Sequence, residues 1–322
     1  MIYKFKFTDM IKDLKIVFLD AGTMGKDVSL DPIAEFGKLT TYEYTAPEEI
    51  ITRAAGCDVL IVNKIKIGRK EIDAMPGLRI ICEAATGTDN IDVEYATSKG
   101  IPVKNVKGYS SESVVQLTFT ILLAVAGQIG YFDSAVKSGN YSKSNCFTDV
   151  SRAFLELSGK RYGIIGLGNI GGRVAEVAKA FGMDVVYYPT SGKPHSEKYP
   201  AVYLDEMMRT CDIISVHAPM NDNTRNLITY EKLALMKPTA FILNLGRGGI
   251  INEADLVRAL NDNKLAGAGI DVFTKEPLPL DSPYMNVNDK SKIILTPHIG
   301  WCSREARMRL VEGIAANISS LV

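Results

Sequence analysis

The chain of 322 residues holds one tryptophan, three histidines and five cysteines, and its 37 basic residues are offset by 37 acidic ones. Each scarcity excludes something. Zero formal net charge, with no run of like charges, removes the excess of Lys and Arg on which nucleic-acid binding rests, so no nucleic-acid partner is expected. The cysteines (Cys57, Cys82, Cys146, Cys211, Cys302) are odd in number, widely spaced and without a Cys-x-x-Cys pair. That pattern makes neither a disulfide framework nor a zinc site; it suits a reducing cytoplasm and predicts no metal. Residues 1–15 mix lysines with aromatics and lack the apolar core of a signal peptide. Residues 113–132 carry no charge, but Gln116, Thr118, Thr120, Gly127, Gln128 and Gly130 dilute their apolar density. A buried helix is expected there, and no membrane partner.

What is present is ordinary globular composition, 46% apolar and 23% charged. The length suggests two domains at roughly 150 residues each. Short β-branched runs alternate with helical patterns, which predicts an α/β protein with parallel sheets. A first series places strands at 15–19, 38–44, 59–62, 79–83 and 101–104, with helices at 47–55 and 69–75 among them. Residues 137–152, polar and rich in Ser and Asn, read as a loop. A second series places strands at 161–165, 184–188, 213–217, 240–244, 267–272 and 293–295. Helices are expected at 171–181, at 252–261 with Asn252 as cap, and at 303–321.

Gly166-Leu167-Gly168-Asn169-Ile170-Gly171 falls between an expected strand and an expected helix. In a dinucleotide-binding turn the first Gly permits the tight bend and the second lets backbone approach a pyrophosphate. The third lets helix and strand pack closely, and the helix N-terminus offers amides and a positive dipole end. Such a turn is usually followed about 20 residues on by a carboxylate for the ribose hydroxyls. Here the second strand runs into Tyr187-Tyr188-Pro189-Thr190-Ser191-Gly192-Lys193, with no acid at its tip. Thr190, Ser191 and Lys193 suit a 2′-phosphate instead, so NADP is favoured over NAD; an NAD site lacking one contact is the alternative.

With three histidines, the search for a general acid is short. His195 lies in a polar loop and reads as a surface residue. His217 ends a strand before Ala218-Pro219, a position that suits cofactor contact. His298 follows Thr296-Pro297 and precedes Ile299-Gly300-Trp301. A core or capping histidine is the plainer reading of each, but His298 has company. Arg247, flanked by Gly246 and Gly248, and Glu276, before Pro277, also follow expected strands. All three then fall at the carboxyl edge of the sheet that carries the glycine turn.

Together these segments resemble the D-isomer-specific 2-hydroxyacid dehydrogenases over nearly the whole chain. The motifs are the glycine turn, Ser215-Val216-His217-Ala218-Pro219 with Thr224, Gly246-Arg247-Gly248, Gly269-Ile270-Asp271-Val272-Phe273 through Glu276-Pro277, and Thr296-Pro297-His298-Ile299-Gly300. The resemblance implies that Arg247, Glu276 and His298 are catalytic. It places the NAD(P)H cofactor on Gly166, Gly168, Asn169, Ile170, Gly171, Thr190, Ser191, Lys193, His217, Ala218, Pro219, Thr224, Leu245, Gly246, Asp271 and Gly300. Substrate contacts are implied at Thr86, Gly87 and Thr88, within Thr86-Gly87-Thr88-Asp89-Asn90-Ile91-Asp92, and at Arg247. The implied architecture is two doubly wound parallel-sheet domains. A Rossmann cofactor domain, 105–298, is inserted in a discontinuous flavodoxin-like substrate domain, 1–104 and 299–322, with the active site in the cleft between them and a homodimer formed through the cofactor domain. Trp301 and the pair Asn63-Lys64 point within the family to glycerate dehydrogenases and hydroxypyruvate reductases. There Lys64 and Trp301 would meet substrate, although core packing for Trp301 and an exposed strand end for Lys64 explain them as well. The missing ribose carboxylate departs from the family, as does a chain that stops sooner after its last helix than many relatives.

The expected reaction is reduction of a small 2-keto acid, hydroxypyruvate or glyoxylate, to the D-2-hydroxy acid, and its reverse. Arg247 grips the carboxylate and His298 donates a proton to the keto oxygen as hydride arrives. An unassisted imidazole is mostly neutral at pH 7, so Glu276 is required to favour its protonated form. Three other readings compete: a D-lactate-type dehydrogenase, a dinucleotide-sensing corepressor of the same fold, and a formate dehydrogenase-like enzyme. The last is disfavoured by an ionisable Glu276 where that branch has a neutral amide. Keto-acid-dependent oxidation of NAD(P)H separates enzyme from sensor.

Overall fold

The structure, a computed structural model, describes residues 13–321; the lysine-rich start of the chain lies outside them. Two compact units are formed, one by the chain up to Ser110 and from Cys302 on, the other by Ser111–Trp301. These divisions fall six and three residues beyond the sequence expectation (110 against 104, 301 against 298). The shift has a local cause. Helices begin at Ser111 and Arg304, the latter capped by Ser303, whose side chain accepts the Ala306 N–H.

In the first unit five parallel strands, β1 (Leu14–Phe18), β2 (Gly37–Thr41), β3 (Val59–Val62), β4 (Ile80–Glu83) and β5 (Val103–Lys104), are ordered β2-β1-β3-β4-β5. This is the flavodoxin-like doubly wound order, with its switch point between β1 and β3. Every residue of β3 and β4 is buried, as expected for central strands covered on both faces.

The second unit carries β6 (Arg161–Ile165), β7 (Asp184–Tyr188), β8 (Ile213–Val216), β9 (Phe241–Asn244), β10 (Gly267–Ile270) and β11 (Ile293–Leu295), ordered β11-β10-β9-β8-β6-β7. Its switch point lies between β6 and β8. A strand beyond β7 is reduced to one parallel bridge, Tyr187 to Ala201. Where strands end short of expectation, at Thr41, Val216 and Ile270, the following residues have passed the carboxyl edge and turn into loops.

The uncharged stretch departs from the expectation of one buried helix. It forms two helices, Ser111–Ala126 and Ile129–Lys137, bent by 60° at Gly127 and Gln128, where Gln128 adopts φ 53°. Only the first helix is buried. It lies directly on β10, where a Cβ at Gly269 would come 2.2 Å from Ile121. The second has no buried residue. Among the described residues no single helix is long and apolar enough to cross a membrane; the bent pair passes that test only when taken together.

Candidate active site

The glycine turn follows β6 at the switch point of the second unit. Gly166 adopts φ 91° with Ala218 packed against it, a Cβ there coming 3.0 Å from the Ala218 Cα. A Cβ at Gly171 would lie 2.2 Å from the Gly166 carbonyl oxygen, so the turn closes only with glycine at both positions. At Gly168 a Cβ would meet nothing within 4 Å. That glycine leaves space at the N-terminus of the Asn169–Ala180 helix, which supplies amides and a positive dipole end. The residues present therefore fit a dinucleotide pyrophosphate.

Around this turn the other expected cofactor residues take ordered places. Thr224 is fully buried and its Oγ1 donates to the Pro219 carbonyl at 2.7 Å, while the Asn221 N–H donates back to it at 2.8 Å. The pair fixes the turn after Ala218-Pro219. The His217 Nε2 lies 2.9 Å from Ser215 Oγ, and its Nδ1 is buried without a partner among the described residues. Burial pushes this imidazole down to about 3, so it stays neutral. Thr190 is half-buried, whereas Ser191 and Lys193 are exposed. One histidine departs from its reading as a plain surface residue. Although exposed, His195 places Nε2 3.0 Å from the Leu167 carbonyl within the glycine turn, and its ring stands edge-on to Tyr187. No sequence signal marked it, because the contact spans 28 residues.

The candidate catalytic residues lie beyond the carboxyl ends of neighbouring strands. His298, past β11, has φ 55°, and its Nδ1 lies 2.7 Å from Glu276 Oε2. The other Glu276 oxygen accepts the Phe273 N–H at 3.0 Å, which orients the carboxylate toward the ring. Asp271, buried immediately after β10, holds the His298 turn from beneath. It accepts from Thr296 Oγ1 at 2.6 Å and from the Ile299 and Gly300 amides at 2.8 Å each. Burial raises its pKa, and the three donors oppose the rise. Arg247 follows β9 in a turn tied by Asn244, whose side chain accepts the Gly246 N–H at 3.1 Å and donates to the Arg247 carbonyl at 2.9 Å. Gly248 lets this turn pass against Phe273, where a Cβ would come within 2.0 Å of its carbonyl. The sheet thus brings His298 and Glu276 into contact and sets Arg247 two strands from β11.

A profile described as "D-isomer specific 2-hydroxyacid dehydrogenase, NAD binding domain" matches residues 119–300. Over 94% of the chain, the sequence is 36% identical to a hydroxypyruvate reductase of Blautia hydrogenotrophica, covering 95% of that protein. The chain belongs to the D-isomer-specific 2-hydroxyacid dehydrogenases. A glycerate dehydrogenase of Methylorubrum extorquens is 33% identical over 96% of each chain. Among solved structures, an acyclic imino acid reductase in complex with NADPH and D-Arg superposes with a TM-score of 0.83 at 31% identity, covering 95% of this chain and 96% of that one.

In the first unit Lys64 is exposed just past β3, and its backbone N–H donates to Asp20 at 2.7 Å. The amides of Thr86, Gly87 and Thr88 donate to no atom of the described residues. Among the described residues, this dehydrogenase chain therefore has adjacent unused donors in the loop that follows β4. Trp301 is half-buried. Sequence reasoning passed over Asp20 and Glu83, two buried acids beside these residues. Among the described residues no cluster of three His, Cys, Asp or Glu side chains could hold a metal ion.

Proposed function

We propose that this protein reduces a small 2-keto acid, hydroxypyruvate or glyoxylate, to the D-2-hydroxy acid with NADPH, and catalyses the reverse. The observation that carries the reading is the 2.7 Å pairing of His298 with Glu276 on the sheet edge that also bears the glycine turn. The names of the relatives agree with it. A bound nicotinamide coenzyme supplies the hydride. Gly166, Gly168 and Gly171 with the first turn of the Asn169–Ala180 helix hold its pyrophosphate, and His217, Thr224, Leu245, Gly246 and Asp271 line the rest. His298 delivers a proton to the keto oxygen from Nε2, since Nδ1 is committed to Glu276. The Glu276 carboxylate, 2.7 Å from Nδ1, fixes the orientation of the ring for that transfer. Arg247 and the free amides of Thr86, Gly87 and Thr88 are each suited to a carboxylate.

Preference for NADP over NAD rests on the end of β7, where Thr190, Ser191 and Lys193 replace a ribose-binding acid. A panel of hydroxypyruvate, glyoxylate and pyruvate against both reduced cofactors tests the whole reading. Turnover of the first two with a higher kcat/KM for NADPH is expected. Absence of any keto-acid turnover removes the enzyme reading, and equal or better use of NADH removes the NADP preference.

A homodimer through the second unit is part of the same proposal. Ile129 and Val136 on the unburied helix and Phe147, Val150 and Phe154 after it are 57–89% exposed, a concentration of apolar surface that marks an interface. An apolar hollow of about 530 Å³ lined by Leu123, Ile129, Phe132 and Phe154 adjoins them. Sedimentation should give a dimer that Phe154→Asp converts to monomer; a monomeric parent protein would refute the assignment.

A further inference from the structure

The first unit contains a buried polar cluster that the reaction above does not use. Glu83 is the last residue of β4 and has no solvent exposure. Its Oε2 accepts from Asn90 Nδ2 at 3.0 Å, while Oε1 has no partner among the described residues. The same Asn90 amide group donates at 2.9 Å to the Ile65 carbonyl and at 3.5 Å to that of Asn63. Asp20, buried past β1, accepts the backbone N–H groups of Asn63 and Lys64. Around them the backbone is laced together: Ile67 donates to the Asn90 carbonyl and accepts from Asp92, both at 2.9 Å. The turn carrying Lys64 and the loop carrying the free amides are therefore tied to one pair of side chains, Glu83 and Asn90, at the carboxyl end of β4.

We propose that Glu83, acting through Asn90, is a positioning residue that holds the loop of Thr86, Gly87 and Thr88 against the Asn63-Lys64-Ile65 turn and so sets how the keto acid's carboxylate is bound. The inference rests on the reading of those amides as carboxylate donors. An apolar strand end would leave Asn90 without its acceptor and the loop attached by backbone alone. Glutamine has the same shape and keeps an acceptor for Asn90, so the geometry requires the side chain and not a negative charge.

The protonation state strengthens this. Burial pushes Glu83 up to about 9, with Asp20 and Asp89 adding to the rise and Asn90 and Lys64 opposing it. Lys104 on the adjoining β5 turns instead to Ser320 Oγ, and the Arg304–Ser319 helix packed on β4 buries Ala306, Leu310, Val311, Ile314 and Ile318. The acid is neutral at pH 7 and places no negative charge beneath a loop that is to receive an anion. Above about pH 9 it ionises, and the site then opposes its own ligand. The sign for stability follows. The folded value lies above the ordinary 4.5, so wild-type stability falls as pH rises from 4.5 toward 9 while the native state retains the proton. E83Q removes that slope.

The experiment compares wild type, E83A, E83Q and N90A in steady-state kinetics and in amide hydrogen exchange without ligand. E83A and N90A should raise KM for hydroxypyruvate roughly tenfold with kcat and the dinucleotide KM little changed, one factor of ten being 1.4 kcal/mol. They should also exchange faster at residues 63–67 and 84–92. E83Q should restore both readouts, melt no lower than wild type at pH 8, and abolish the rise of KM above pH 9. Unchanged exchange in both E83A and N90A overturns the proposal, as does a failure of E83Q to restore KM. If wild type turns over no keto acid, the functional reading fails while the exchange data still decide the positioning role. If E83A does not fold, N90A and E83Q decide it alone.

Discussion

In each sheet a buried carboxyl group at the end of an inner strand lies beside a loop of the candidate site, and the two are handled differently. Asp271, after β10, receives three donors, one hydroxyl and two amides, all within 2.8 Å. Glu83, ending β4, receives one, and its second oxygen has no partner among the described residues. A buried carboxyl group with three donors has the rise in its pKa opposed and is held as a rigid anchor. One with a single donor keeps its proton and acts as a neutral bracket. The anchor holds the turn of His298, where a left-handed residue must not relax. The bracket holds the loop of Thr86, Gly87 and Thr88, to which we assign the carboxylate of the substrate.

Substitutions turn this contrast into measurements. The largest effect should come from the residue that Asp271 holds in place. His298→Ala is expected to lower kcat by about 10²–10⁴-fold, the usual contribution of a general acid, with dinucleotide affinity little altered; near-normal turnover discards the assignment. Next, Asp271→Asn leaves at least one of three buried donors unmatched, at a cost of about 1–3 kcal/mol. Melting should drop by several degrees in a chain of this size. Glu83→Gln should do the opposite at pH 8, and equal signs for the two variants would break the contrast. Smaller still is the difference between two glycines. Gly171→Ala should destabilise the fold because its Cβ meets the Gly166 carbonyl, while Gly168→Ala should melt as wild type and bind dinucleotide roughly tenfold more weakly. Calorimetry with nucleotide titration separates them; a lowered melting point for Gly168→Ala would show that its space is structural.

Much of this was legible in the sequence, for reasons that can be named. Strands at 59–62, 161–165, 184–188 and 293–295 fall where the apolar runs predicted, and the inner strand 59–62 is buried at every position. The glycine turn could be placed because a strand and a helix flank it. Arg247, Glu276 and His298 could be grouped because parallel topology sends every strand end to one edge. The break at Gly127 and Gln128 was hidden, since neither a proline nor a charge marks it. The contact of His195 with Leu167 was hidden by its length in sequence. Glu83 did leave a trace: in Ile80-Ile81-Cys82-Glu83-Ala84-Ala85 a lone acid closes a run with no polar face. In a central strand such an acid has no route to water, and that alone marks it for burial.

The strand that survives only as the bridge from Tyr187 to Ala201 has a consequence for how this enzyme can change. Between those two residues, Thr190, Ser191 and Lys193 belong to no sheet, and the segment is moored by the Tyr187 hydroxyl accepting the His195 and Ser196 amides. Substitutions there leave every ladder of the core untouched. If the proposed coenzyme contacts lie there, the choice between two coenzymes is uncoupled from folding, and rewriting a few surface residues could exchange one for the other.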